Sequence, residues 1–380
     1  MKGRSREFQV FAKPVGSSCN LKCNYCYYTG RKELYPDARS FIMSDELLEK
    51  YINQHIEASG DEAVMFSWHG GEPTLAGIDF YKKAMHYQKK HLPSGRSALN
   101  GIQTNGTLIN NEWCSFLADE GFLAGISIDG PGELHNHFRI TPGGEHTLDR
   151  VLKGYELLQK HNIPTEIICV VNSQNAGFPL VVYDFFKQLD ARYITFLPLV
   201  ERLDSSAAGV SSASVPAEKF GQFLISVFDE WMEKDIGRIK IQIFEEALRS
   251  AFNQDHTLCI FKVNCGGVPV VEHNGDFYSC DHYADRDHLI GNITQQTLAV
   301  MLDSPEQLSF GILKSETLPE YCANCSVKSM CNGECPKNRF ISSPDGEPRL
   351  NYLCPGYKLF FTHCLPFIEA LRKVQIANNQ

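Results

Sequence analysis

No run of apolar residues approaches the roughly 18 that a membrane-crossing helix needs. Excess positive charge is missing too, since 36 Lys and Arg face 45 Asp and Glu for a formal charge of −9. Nonspecific nucleic-acid binding needs a basic face to displace counterions, so this balance argues against that class. The opening residues, "MKGRSREFQVFAKPVG", are basic but lack an apolar h-region, which points to a cytoplasmic protein. Internal repeats and low-complexity tracts are absent, which sets aside solenoids and disordered linkers.

Cysteine, by contrast, is abundant. In a reducing compartment the 14 cysteines are expected as metal ligands or catalytic thiols rather than disulfides. Their distribution is uneven: Cys19, Cys23 and Cys26 cluster early, and eight more fall between Cys259 and Cys354. Cys114, Cys169 and Cys364 stand alone and read as small buried hydrophobes.

The 380 residues suggest two or three domains. Short β-rich runs over 7–15, 63–71, 97–106, 123–130, 165–172 and 193–200 alternate with amphipathic segments over 43–59, 79–91, 110–121, 147–161 and 178–190. Ser44 caps the first of these helices. This alternation predicts βαβ units and an α/β fold, a closed or partly closed (β/α)6 barrel of parallel strands. Right-handed crossovers put all the βα loops on one face, where such barrels carry their active sites. "CNLKCNYCYY" follows the first strand, "HGGEP" the second, "TNG" the third and "DGP" the fourth, so the unusual residues are expected at one mouth. The pattern divides the chain into a barrel over 1–235, a helical linker over 236–258 and a Cys-rich domain over 259–380 that relies on metal for its shape.

Three thiolates at C-x3-C-x2-C, with no fourth cysteine nearby, suit a four-iron cluster that keeps one iron open for a small molecule. Structural zinc sites use four ligands, usually as two separated pairs. The stretch resembles the signature of the radical S-adenosylmethionine (SAM) superfamily, with Tyr25 in the aromatic place before the last cysteine. "HGGEP" at 69–73 resembles that superfamily's glycine-rich loop, where Gly70 and Gly71 let backbone approach a ligand without a Cβ. The resemblance implies reductive cleavage of SAM to a 5′-deoxyadenosyl radical, the cofactor doing the hard chemistry and the protein supplying orientation.

Eight C-terminal cysteines are enough for two fully ligated clusters. Their spacing, including the C-x2-C-x5-C-x3-C run from Cys322 to Cys335, resembles the SPASM extension of peptide-modifying radical SAM enzymes. That resemblance assigns Cys259, Cys265, Cys280 and Cys335 to one auxiliary cluster and Cys322, Cys325, Cys331 and Cys354 to the other. Two zinc sites that only staple the tail are the bland alternative.

Taken together, "CNLKCNYCYY", "HGGEPTLAG", "QTNGTLI", "SIDGP" with "HNHFR", and "NGDFYSCDHY" with "IGN" resemble the anaerobic sulfatase-maturating enzymes. The resemblance implies three [4Fe–4S] clusters and oxidation of one Cys or Ser in an unfolded or nascent sulfatase to Cα-formylglycine. It also implies hydrogen abstraction from Cβ, electron transfer to an auxiliary cluster, and a donor such as flavodoxin or ferredoxin. Tyr25, Gly71, Ser127, Arg139 and Val200 fall where that family contacts SAM, and Asp281 falls at its general base. A carboxylate there would be ionised at neutral pH; without the resemblance, a turn cap is an equal account. His282 and Asp285 are weaker candidates for the base, and His69 reads as a structural histidine. The competing readings are a SPASM-type maturase forming thioether or carbon–carbon crosslinks in ribosomal peptides, and a metal-binding module without turnover.

Overall fold

A computed structural model describes residues 8–36, 38, 40–203 and 209–378. Of the first expected strand, over 7–15, residue 7 lies outside these residues, and within 8–15 only Phe11–Ala12 forms strand, here β1. The next five follow as expected: β2 (Ala63–Trp68), β3 (Ser97–Thr104), β4 (Leu123–Ser127), β5 (Thr165–Val171) and β6 (Tyr193–Pro198). Each expected helix forms between them, and Ser44 Oγ accepts the Leu47 amide at 3.2 Å as the cap of Asp45–Ala58. The short β7 (Lys240–Ile241) comes after β6.

The chain gathers into two compact units. One comprises Met1–Ser127, Phe138–Thr165 and Gly266–Gly311; the other comprises Ile128–His137, Glu166–Cys265 and Ile312–Gln380.

In the first unit β1 to β4 are parallel neighbours, with Phe11 opposite Ser67 and Gly101 opposite Leu123. Three strands escaped the sequence pattern: β8 (Val270–Val271), β9 (Asp276–Tyr278) and β10 (Leu289–Asn292). β8 pairs parallel with the free edge of β1, and β9 and β10 continue antiparallel, giving the order β10-β9-β8-β1-β2-β3-β4. "VPVVEH" is a two-residue strand between glycine and charge, too short for alternation to register. It nevertheless covers an edge that would otherwise stand unpaired. Beneath the sheet Tyr51, Phe66, Trp68 and Tyr81 are buried together, and Trp68 Nε1 donates to Asn100 Oδ1 at 3.0 Å. Cys114 is fully buried, as its isolation suggested.

The second unit carries the parallel order β5-β6-β7 and the helices Ala217–Lys234 and Cys354–Asn378. These helices cross through glycine: a Cβ on Gly356 would lie 2.0 Å from the Ala217 carbonyl oxygen, and one on Gly221 would lie 2.4 Å from that of Gly356. Phe228, Phe244 and Phe360 fill the layer below, and Cys169 and Cys364 are buried small residues here.

The helix Gln242–Arg249 orders the approach to Cys259. Buried Glu246 accepts the Thr257 and Leu258 amides, both at 3.0 Å, and pairs with His256 Nδ1 at 2.7 Å. The other ring nitrogen, Nε2, reaches the Ser329 carbonyl at 2.9 Å. Burial opposes both charges, yet His256 and the donors of Thr257 and Leu258 hold the Glu246 carboxyl below its usual value. Glu246 and the Ser329 carbonyl raise His256 in return.

Two outcomes follow from this packing. Gly356→Ala should cost about 1–3 kcal/mol of stability or more, read as a lower melting temperature. Glu246 contributes above the unfolded carboxyl pKa, and His256 contributes below the unfolded imidazole pKa and fades as pH rises through its raised value. His256→Ala should therefore lower the melting temperature most between about pH 4.3 and 6.5, and least at alkaline pH. A deficit independent of pH would show that the ion pair adds nothing.

Candidate functional site

Backbone hydrogen bonds build the triad loop before any side chain contributes. The chain turns after β1 through the Gly16 amide, which donates to the Lys13 carbonyl, and the Ser18 amide, which donates to that of Val15. The loop after β2 is stitched onto it: the Gly71 amide donates to Gly16 and the Glu72 amide to Ser18, both at 2.8 Å. A Cβ on Gly71 would lie 2.1 Å from the Ser18 oxygen, so the glycine is required by the protein's own backbone. The sequence suggested approach to a ligand; the approach present here is loop to loop.

Glu72 completes this knot, and the sequence reading passed over it. It is fully buried and accepts from the Thr74 amide at 3.1 Å, Thr74 Oγ1 and Thr104 Oγ1 at 2.7 Å each, and the Asn105 amide at 2.7 Å. Burial raises its carboxyl, and the hydroxyls and amides partly offset that rise. The available signal was a carboxylate between two glycines and a proline, where a solvated role is unusual. Asn105 continues inward, donating to Asn20 Oδ1 at 2.9 Å and approaching Cys19 Sγ at 3.8 Å. The Lys22 and Asn24 amides reach the Ile140 and Phe138 carbonyls.

Cys19, Cys23 and Cys26 thus sit half-buried, without disulfides, on a loop anchored to the segments after β2 and β3. Burial pushes the Cys19 thiol up to about 11, so loading metal there displaces a proton. Among the described residues no three His, Cys, Asp or Glu side chains converge on a single ion. Cysteines serving a four-iron cluster each bind a separate iron and stand farther apart than the ligands of one ion. Sulfur donors outside any disulfide, on a fixed loop, fit the cluster.

Of the expected SAM contacts, Tyr25, Gly71, Ser127 and Arg139 all lie in the first unit. The Arg139 guanidinium lies over the Tyr25 ring at 5.5 Å, Tyr25 packs against Phe138, and Ser127 Oγ accepts from Gln103 at 3.3 Å. Val200 is buried after β6 in the second unit.

Asp281 opens the helical turn Asp281–Tyr283 beside Cys280, but its carboxylate does not cap that turn. Oδ1 meets buried Lys13 Nζ at 2.7 Å, and Oδ2 accepts the Tyr27 hydroxyl. Burial would raise the carboxyl, but the charges of Lys13 and His282 and the Lys13 and Tyr27 hydrogen bonds hold it well below the usual range. The turn-capping role belongs to Asp285, whose Oδ1 accepts the Asp287 and His288 amides. His282 packs edge-on against Tyr27. His69 stacks on Phe11 at 3.9 Å, and burial followed by Lys13 lowers it to about 3, so it is a neutral, half-buried ring. Lys13, Tyr27, and the neighbouring Tyr28–Glu272 hydrogen bond were not singled out from sequence. A lone lysine in a strand and two tyrosines after a cysteine carry no spacing signal.

The eight C-terminal cysteines likewise form no disulfide, seven in the second unit and Cys280 in the first. Burial raises Cys331 to about 12 and Cys354 to about 11, and nearby thiolates add to both: Cys354 and Cys322 act on Cys331, and Cys322 and Cys325 on Cys354. Cys259 and Cys265 form a second neighbourhood. Between Cys331 and Cys335 the chain reverses through Asn332, Gly333 and Glu334, all with positive φ.

Residues 14–177 match the Radical SAM superfamily, and residues 265–326 match SPASM, an iron–sulfur cluster-binding domain. The serine-type anaerobic sulfatase-maturating enzyme of Bacteroides thetaiotaomicron is 43% identical, over 99% of this chain and 94% of its own. The cysteine-type enzyme of Clostridium perfringens is 34% identical, over 97% and 98%. The solved structure of native anSMEcpe with bound AdoMet superposes with a TM-score of 0.87 at 33% identity, covering 96% of this chain and 99% of that one. The fold is thus the α/β radical SAM fold followed by a SPASM region, and its cofactors are SAM and [4Fe–4S] clusters. Identity sustained over nearly the whole length makes this chain a member of the anaerobic sulfatase-maturating enzymes.

Proposed function

We propose that this enzyme oxidises one Ser or Cys side chain of an unfolded sulfatase segment to the aldehyde of Cα-formylglycine. The observation that carries the reading is Asp281, a buried carboxylate held ionised by Lys13 and Tyr27 next to Cys280. When bound, SAM and the cluster on Cys19, Cys23 and Cys26 supply the radical that takes the Cβ hydrogen atom, and an auxiliary cluster accepts the electron left behind. Asp281 takes the hydroxyl or thiol proton, so two hydrogens leave the side chain in all. A serine then becomes the aldehyde directly, whereas a cysteine becomes a thioaldehyde that water hydrolyses with loss of sulfide.

Fixed by two partners, Asp281 keeps one geometry, which a general base needs within hydrogen-bond reach of its proton. Its low pKa means that it accepts a proton only from a group made acidic by loss of the neighbouring hydrogen atom. Tyr25, Gly71, Ser127, Arg139 and Val200 are proposed to hold SAM; the contact of Arg139 with Tyr25 and the fixed position of Gly71 support that set. For the auxiliary clusters, the shared electrostatic neighbourhood of Cys322, Cys325, Cys331 and Cys354 supports one ligand set. Cys259, Cys265, Cys280 and Cys335 then form the other, supported by the pairing of Cys259 with Cys265. The matched regions fall inside the proposed divisions 1–235 and 259–380, joined by 236–258. A small donor such as flavodoxin or ferredoxin supplies reducing equivalents. The higher identity to a serine-type relative makes a serine peptide the first substrate to test.

Anaerobically reconstituted protein should hold about twelve irons, four for each of three clusters. Cys23→Ala should remove about a third of the iron and abolish deoxyadenosine formation. With SAM, a reductant and a serine sulfatase-motif peptide, mass spectrometry should show loss of one hydrogen molecule and an aldehyde that traps hydrazine. Asp281→Asn should still release deoxyadenosine while slowing aldehyde formation about 10²-fold or more. Normal turnover by that variant would remove Asp281 as the base, and activity only on a leader-bearing ribosomal peptide would favour crosslinking.

A further inference from the structure

Lys314 is only 1% exposed, near the end of the helix Pro305–Glu316. Its Nζ donates to the carbonyls of Cys259 at 2.9 Å, Ile260 at 2.8 Å and Lys262 at 2.5 Å. Three acceptors occupy all three hydrogens of an ammonium, a set that a neutral amine could not supply. Arg339, also buried, donates to the Lys314 carbonyl at 2.5 Å and to the carbonyls of Asn332, Gly333 and Glu334 at 2.9 to 3.1 Å. Both cations are spent on backbone carbonyls. Among the described residues neither has a carboxylate within ion-pair distance.

Buried charge without a counter-charge is costly. The nearby carboxylate, Glu334, instead accepts from Asn338 and Asn351, and burial pushes its carboxyl up. The anions that act on both cations are led by cysteine sulfurs, Cys265 and Cys259 on Lys314 and Cys265 and Cys322 on Arg339, with Glu334 adding to each and Cys331 to Arg339. A four-iron cluster held by four thiolates is anionic when oxidised and more so by one charge when reduced. A fixed buried cation therefore stabilises the reduced state more than the oxidised one.

We propose that Lys314, backed by Arg339, is a positioning residue for electron acceptance, its charge raising the reduction potential of the auxiliary cluster bound by Cys259 and Cys265. This rests on the cluster assignment above and adds a role that loop packing alone does not demand. A residue that merely staples the 259–262 segment would move iron retention but not potential.

The test is potentiometric titration of the reconstituted holoenzyme followed by electron paramagnetic resonance, with iron content measured in parallel. Lys314→Gln should keep its iron and make one-electron reduction of one auxiliary cluster about tenfold less favourable, a shift of about 59 mV. Lys314→Arg should stay within about threefold of the parent protein. A fully loaded Lys314→Gln with unshifted potentials overturns the proposal. If Lys314→Gln sheds iron, Lys314→Arg decides: full loading at the parent potential supports the charge role, and loss of iron or a larger shift overturns it. No peptide enters the titration, so a wrong substrate leaves the result untouched. A parent protein without auxiliary iron would instead sink the functional reading.

Discussion

Two short backbone contacts carry much of this structure, the amides of Gly71 and Glu72 on the carbonyls of Gly16 and Ser18. They lock the loop after β2 against the loop after β1 at a distance that excludes a Cβ. The cysteine triad needs this because a loop ordered only by metal would be disordered before the metal arrived. With the knot in place, and Glu72 tying in Thr104 and Asn105 from the next loop, the thiols are presented by a scaffold that already exists. The ordering entropy is then met by hydrogen bonds and burial before cofactor loading.

The same economy governs the charges. Lys13, directly after β1, neutralises Asp281, which reaches it because β8 pairs with the edge of β1 and carries the following segment with it. An unpaired carboxylate at that depth would protonate and lose its use as a base. In the second unit the pattern reverses: Lys314 and Arg339 bring positive charge to a region whose leading anions are sulfur. One end of the chemistry needs a held base and the other an environment that welcomes an electron.

Much of the scaffold was legible because its signals are local. β2 to β6 and the helices between them followed from alternation and from caps such as Ser44, which depend on neighbours in sequence. Strands β8, β9 and β10 were not legible: two to four residues cannot establish a period, and the partner that anchors β8, strand β1, lies hundreds of residues away. Among candidate residues, those defined by spacing, chiefly the cysteines, could be named in advance. Glu72, Lys13, Tyr27, Lys314 and Arg339 could not, because each matters through what folding brings to it. Asp281 and Asp285 show the limit: two aspartates four residues apart read alike, yet one meets a lysine and the other caps a turn.

By itself the sequence determined which atoms were available: a loop of sulfur donors after the first strand, a second set near the C-terminus, and the helix and strand periods that put them in order. Tertiary structure alone decided which charges would be buried and with what partner. Burial and electrostatic pairing depend on distance in space, and a linear code records only distance along the chain.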